Sequence, residues 1–158
     1  MLILDITHSG KLHHYDYSIM IIAFSGHRNC LISDEKLLEL KDKFGCYKWI
    51  NGGAKYGFDR QIKEFAFENN IEFEDKKYLP NFEKYGRSAT FIRNKLIVDD
   101  SYYLICCYDG REFGGTKHTL KYAKSIRTKN IIVLSPDMYI AKTRKMIQYK
   151  NEQLVFKL

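Results

Sequence analysis

The sequence predicts an α/β protein: one parallel β-sheet with helices on both faces, in three layers α/β/α. Two observations carry this prediction. Short apolar runs recur along the chain and stop at glycine-bearing turns, as buried parallel strands do before a loop at their C-terminal ends. Between them lie segments with helix-start residues and helical apolar spacing, so strand, turn and helix follow one another repeatedly.

The first core strand is Ile21-Ile22-Ala23-Phe24, ending at Ser25-Gly26-His27-Arg28. Residues 1–19 stand apart from it, as a leader or with Leu2 to Ile6 as an edge strand, and the main domain spans 20–134. A helix starts at Ser33, whose hydroxyl suits an N-cap, with Asp34 and Glu35 in the first turn and Leu37, Leu38 and Leu40 on one face. It ends near Gly45. Tyr47 to Ile50 is the next strand, and it runs into Asn51-Gly52-Gly53-Ala54-Lys55-Tyr56-Gly57-Phe58-Asp59 and a second helix carrying Ile62, Phe65 and Ala66. Ile71 to Phe73 reads as a weak strand, followed by a polar and aromatic loop from Asp75 to Ser88.

A third helix covers about Ala89 to Val98, and Tyr102 to Tyr108 is the run richest in β-formers. After the turn Gly110 to Gly115, a helix from Thr116 to Ile126 precedes the strand Asn130 to Leu134. Ser135-Pro136-Asp137 has the form of a helix start with proline in the first turn, so the extension 135–158 is expected to hold a helix to about Tyr149 and a strand at Leu154 to Phe156.

Three loops fall at the C-terminal edge of this sheet: Ser25 to Arg28, Gly52 to Asp59, and Asp109 to Thr116. Ligands bind at that edge of open α/β sheets because backbone amides and helix N-termini converge there and favour anions. Gly52, Gly53, Gly114 and Gly115 would let the backbone approach a phosphate closely. Arg93, beside Asn94 on the third helix, offers a guanidinium fork suited to the same group. In the long loop, Tyr78, Phe82 and Tyr85 are candidates to stack on a planar base. His27 can titrate near neutrality.

The succession Ser25-Gly26-His27-Arg28, Gly52-Gly53-Ala54-x-x-Gly57-x-Asp59, Arg93-Asn94, and Gly114-Gly115-Thr116 followed by Tyr122-Ala123 resembles the SLOG superfamily of Rossmann-like proteins. The likeness is greatest to its YspA-related branch and reaches more distantly to LOG nucleotide hydrolases and DprA proteins. It covers roughly residues 20 to 134. The resemblance implies a site for a nucleotide or nucleotide-derived signalling ligand, with phosphate held by the two glycine turns and Arg93; the residues read as forming it are Ser25, Gly26, His27, Arg28, Gly52, Gly53, Ala54, Asp59, Tyr85, Arg93, Asn94, Gly114, Gly115 and Thr116. It also implies a homodimer.

LOG enzymes pair such an arginine with a glutamate three residues after Gly-Thr to cleave the bond between base and ribose phosphate. Here that position is Thr119, so an N-glycosidase acting on a nucleoside monophosphate or NAD-like substrate would need another carboxylate: Glu112 in the same loop, working with Arg93, or else Asp109 or Asp59. No pattern asks for a metal or other cofactor. Cys30, Cys46, Cys106 and Cys107 lack zinc-ligand spacing, and the adjacent Cys106-Cys107 sits in an apolar run where thiols behave as small hydrophobes.

The chain has 158 residues and a formal charge of +7, but the charge is unevenly placed. Met1 to Thr116 carries 16 basic and 17 acidic side chains; Lys117 to Leu158 carries 10 and 2. The segment with the motifs is therefore close to neutral, and the basicity belongs to the last quarter. There, Lys117, Lys121 and Lys124 share a helix face, and Lys142, Arg144 and Lys145 form a second cluster, which makes single-stranded nucleic acid an alternative partner. Hydrophobic residues at 45% exclude global disorder, and no apolar run approaches a membrane span of about 20 residues. The N-terminal stretch lacks the pattern of a signal peptide, which points to the cytoplasm, or the host cytoplasm if the source is a phage.

Overall fold

The computed structural model describes residues 20–126 and 130–140. In chain order the strands are β1 (Ile21–Gly26), β2 (Cys30–Leu31), β3 (Lys48–Asn51), β4 (Phe73–Glu74), β5 (Tyr103–Cys107), β6 (Asn130–Leu134) and β7 (Met138–Tyr139). The helices are α1 (Asp34–Phe44), α2 (Gly57–Glu68), the single turn α3 (Phe82–Tyr85), α4 (Ala89–Asp100) and α5 (Gly115–Ser125). Five strands form a parallel sheet in the order β4-β3-β1-β5-β6. This is the Rossmann-like α/β arrangement the sequence predicts.

Period-2 alternation divides the core into two. Ile22, Phe24, Trp49, Ile105 and Cys107 face one way, against Leu37, Leu40 and Phe44 of α1 and Phe58, Ile62 and Ala66 of α2. Ala23, Ile50, Leu104 and Cys106 face the other way, against Ile97 and Val98 of α4 and Leu120 and Ala123 of α5. Both thiols of the Cys106-Cys107 pair are buried, one on each face, and burial pushes the Cys107 thiol up to about 12, so it stays protonated and inert.

Local chemistry explains most boundaries. The Ser33 hydroxyl accepts the Lys36 N–H at 3.3 Å and opens α1, while Lys41 and Lys43 sit in its last turn. Leu38 departs from expectation: it is 52% exposed, because Leu37 and Leu40 suffice to cover the sheet and position 38 rotates past their stripe. The third expected strand is shifted to β4, and Ile71 instead plugs the core below α2 while its N–H donates to Ala66 O at 2.8 Å.

The expected helix after Ser135 is overturned in its described part. Residues 138–139 form β7, antiparallel to β2, with Ile140 N–H donating to Asn29 O at 2.8 Å and Asp137 N–H to Leu31 O at 2.9 Å. Asp137 does not cap a helix of its own: it accepts the Ser33 N–H at 2.7 Å and pairs with Lys36 at 2.9 Å. The leader or edge strand expected in residues 1–19 and the strand expected at Leu154 to Phe156 lie outside the described residues.

Candidate functional site

From β1 the chain steps to β3 and β4, then returns through α4 to β5 on the opposite side of β1. Loops leaving the C-terminal ends of β1 and β5 therefore diverge, and a crevice must open between them. A cleft of about 720 Å³ occupies this position. It is walled by the loop after β1, the glycine turn after β3, the start of α2, the cleft-facing side of α4 and the loop between β5 and α5.

Asp59, in the first turn of α2, is the buried carboxylate of the cleft. Its Oδ1 accepts the Gly26 N–H at 3.2 Å, tying α2 to the end of β1. Burial pushes its pKa up to about 6, against the opposing pull of Arg93, of backbone N–H groups at Gly26 and Ala54, and of Arg28. Asn51, fully buried at the end of β3, supports this turn. Its Nδ2 donates to Asp59 O at 2.7 Å, and its Oδ1 accepts the Gly53 N–H at 2.9 Å.

Arg93 projects from α4 into the cleft as expected, but not as a free clamp. Its Nε donates to Asn94 Oδ1 at 2.8 Å, and its Nη1 donates to Gly52 O and, at 3.4 Å, to Tyr78 O. Gly52 is required by this arrangement, since a β-carbon there would collide with the guanidinium. The space opened at Gly52 is thus taken by the Arg93 guanidinium. Nη2 has no hydrogen-bond partner among the described residues and is the group left for a ligand. Arg28, exposed at the mouth, is the second cation near Asp59.

The third wall is the loop from Asp109 to Gly114. Arg111 grips Asp109 through Nε at 2.9 Å and Nη2 at 2.5 Å, which holds the Asp109 carboxyl well below the usual carboxylate range, and Nη1 reaches Asn29 Oδ1 at 3.1 Å. His27 is buried, with Nε2 3.7 Å from Asp109 Oδ1. Both α2 and α5 begin at the cleft without a side-chain N-cap, α5 through Gly114 and Gly115. Their first N–H groups are therefore free of side-chain acceptors, and both helix dipoles present positive ends to the cavity. Thr119 also lines the cleft, with its hydroxyl donating to Gly115 O at 2.9 Å.

Of the residues singled out from sequence, the cleft brings together Ser25, Gly26, His27 and Arg28; Gly52, Ala54 and Asp59; Arg93 and Asn94; and Gly114, Gly115 and Thr116. Gly53 lies just outside the lining. Tyr78 is 2% exposed and belongs to the core, its hydroxyl donating to Asp100 Oδ2 at 3.0 Å, so it cannot stack on a ligand. Phe82 and Tyr85 are exposed and away from the lining, since residues 81–88 bury nothing and stand off the sheet.

Glu112 also lies outside the lining, where it pairs with Lys117, and that partner holds its carboxyl below the ordinary range. A carboxyl that gives up its proton so readily is a poor general acid near neutrality. Lys121 and Lys124 are exposed on α5, and Lys142, Arg144 and Lys145 fall outside the described residues. Sequence reasoning missed Asn51, Tyr56, Arg111 and Phe113. An asparagine ending a strand before Gly-Gly was the available signal for the first; no spacing pattern marks the others. The chain matches no protein-family model, no curated protein and no solved structure.

Proposed function

We propose that the cleft binds a nucleotide or nucleotide-derived ligand, with phosphate against the start of α5 and the guanidinium groups of Arg93 and Arg28. The observation that carries this reading is the convergence of two uncapped helix N-termini and two arginines on one cavity around a buried carboxylate. The order of the SLOG-like motifs supports it. Asp59 accepts hydrogen bonds and would orient a ribose hydroxyl. Calorimetry with nucleoside monophosphates, NAD, ADP-ribose and cyclic nucleotides should give saturable binding. Arg28→Ala should weaken it about tenfold or more without lowering the melting temperature, because Arg28 is exposed and a charge-assisted contact has that size. No binding from the panel, or undiminished affinity in the variant, refutes the reading.

A second reading, N-glycosidase activity, is favoured by one observation: the Asp59 carboxyl is buried in the cleft beside the Gly26 N–H, where burial raises its pKa to about 6. Held between Gly26 and the two arginines, its protonated form would donate the proton to a departing base, and the carboxylate left behind would stabilise the positive charge on the ribose. Chromatographic release of free base from the bound nucleotide, lost in Asp59→Asn and kept in Glu112→Gln, is the expected result. An intact nucleotide after prolonged incubation excludes it.

A further inference from the structure

We infer that Phe113 is the platform on which the base of the ligand stacks, so that the cleft selects an aromatic nucleobase and not a sugar phosphate alone. The inference rests on the reading of the cleft as a nucleotide site and adds the residue that reads the base. Phe113 lines the cleft and is 70% exposed, more than any other large apolar side chain among the described residues. Its ring meets no other aromatic ring among them.

An exposed aromatic at a cavity mouth leaves its π face available, and bases stack on such faces regardless of their hydrogen-bonding edges. The loop that presents it is nevertheless held. Tyr108 Oη donates to Arg111 O at 2.6 Å, the Arg111 side chain is clamped by Asp109 and Asn29, and Glu112 is tied to Lys117. Phe113 therefore projects from an anchored segment, where ordering the loop on binding costs little. Its place in the chain fits the chemistry as well. It directly precedes Gly114 and Gly115, whose helix start is the proposed phosphate seat, so base and phosphate contacts fall within one short loop.

The test compares probes with and without a base. Adenosine 5′-monophosphate and ribose 5-phosphate are titrated against the native chain, Phe113→Ala and Phe113→Trp. The native chain should prefer the nucleotide. Phe113→Ala should weaken it about tenfold, in the range stacking supplies, and leave ribose 5-phosphate unchanged. Phe113→Trp should retain affinity and report nucleotide by a change in fluorescence, against the buried Trp49 that is the chain's single tryptophan. Equal native affinity for the two probes, or nucleotide binding indifferent to Phe113→Ala, overturns the inference while leaving the phosphate site standing. If the native chain binds neither probe and no member of the wider nucleotide panel, both readings are overturned.

Discussion

Asp59 shows how one residue makes the site sensitive to pH. Its carboxyl is buried and titrates near 6 in the folded chain, against 3.8 when exposed, so between those values the folded state holds a proton that the unfolded chain has released. The stability its neutral form supplies is complete below about pH 3.8 and is lost as pH rises through about 6. A gap of that size between the folded and unfolded carboxyl is worth about 3 kcal/mol. Asp59→Asn keeps an oxygen for the Gly26 N–H and removes the charge, so it should be more stable than the native chain above pH 6 by about 1–3 kcal/mol, with the difference closing towards pH 4. Urea titrations of both proteins across that window measure it; a difference independent of pH rejects the assignment. Asp59 was legible in the sequence because it closes a glycine turn after a strand. Its burial was not, since that depends on Phe58 of α2 meeting Asn51 and Gly26 at the ends of two strands. Phe113 escaped for a related reason: a single exposed phenylalanine has no periodicity, and only the position of its loop gives it meaning.

At the scale of elements, the entry into α2 controls how the cleft is assembled. Gly57 opens this helix at φ 68° and sits so close to the loop after β1 that a β-carbon would collide with the Arg28 carbonyl. A side chain there faces both left-handed strain and overpacking against backbone that has nowhere to retreat. Gly57→Ala should therefore cost about 2–4 kcal/mol in urea unfolding. Ser33→Ala, which removes only the N-cap of α1, should cost about 1 kcal/mol. Equal costs for the two would show that the contact at Gly57 relaxes freely. The same contrast separates what was legible. Helix α1 announced itself through Ser33, Asp34 and Glu35, which act within their own turn. The helix expected after Ser135 failed because Asp137, a sound local cap, is engaged by Ser33 and Lys36 about a hundred residues away. Strand β7 has no local signature: two residues pair only because β2 is there to receive them.

For the molecule as a whole, that small antiparallel pair joins the chain after β6 to two walls of the cleft and to the start of α1. Ser135 O accepts from Lys36 Nζ at 2.9 Å, Ile140 N–H donates to Asn29 O, and Tyr139 Oη donates to Asp109 Oδ2 at 3.3 Å. The loop after β1, the start of α1 and the Asp109–Arg111 clamp are thus braced by residues 135–140. Two truncations separate this brace from the basic extension. Ending the chain after Ser135 removes β7, frees the backbone of Asn29 and Leu31, and releases Asp109 from Tyr139. Ending it after Ile140 leaves each of these contacts in place while removing Lys142, Arg144 and Lys145. The shorter chain should unfold at lower urea and bind adenosine 5′-monophosphate more weakly; the longer one should match the full chain in both measurements. Gel shifts with single-stranded DNA then test the basic extension separately, because only the cut after Ile140 removes its charge without disturbing the brace. If both truncated chains equal the full chain in stability, β7 braces nothing, and the cleft is held by its sheet and helices alone.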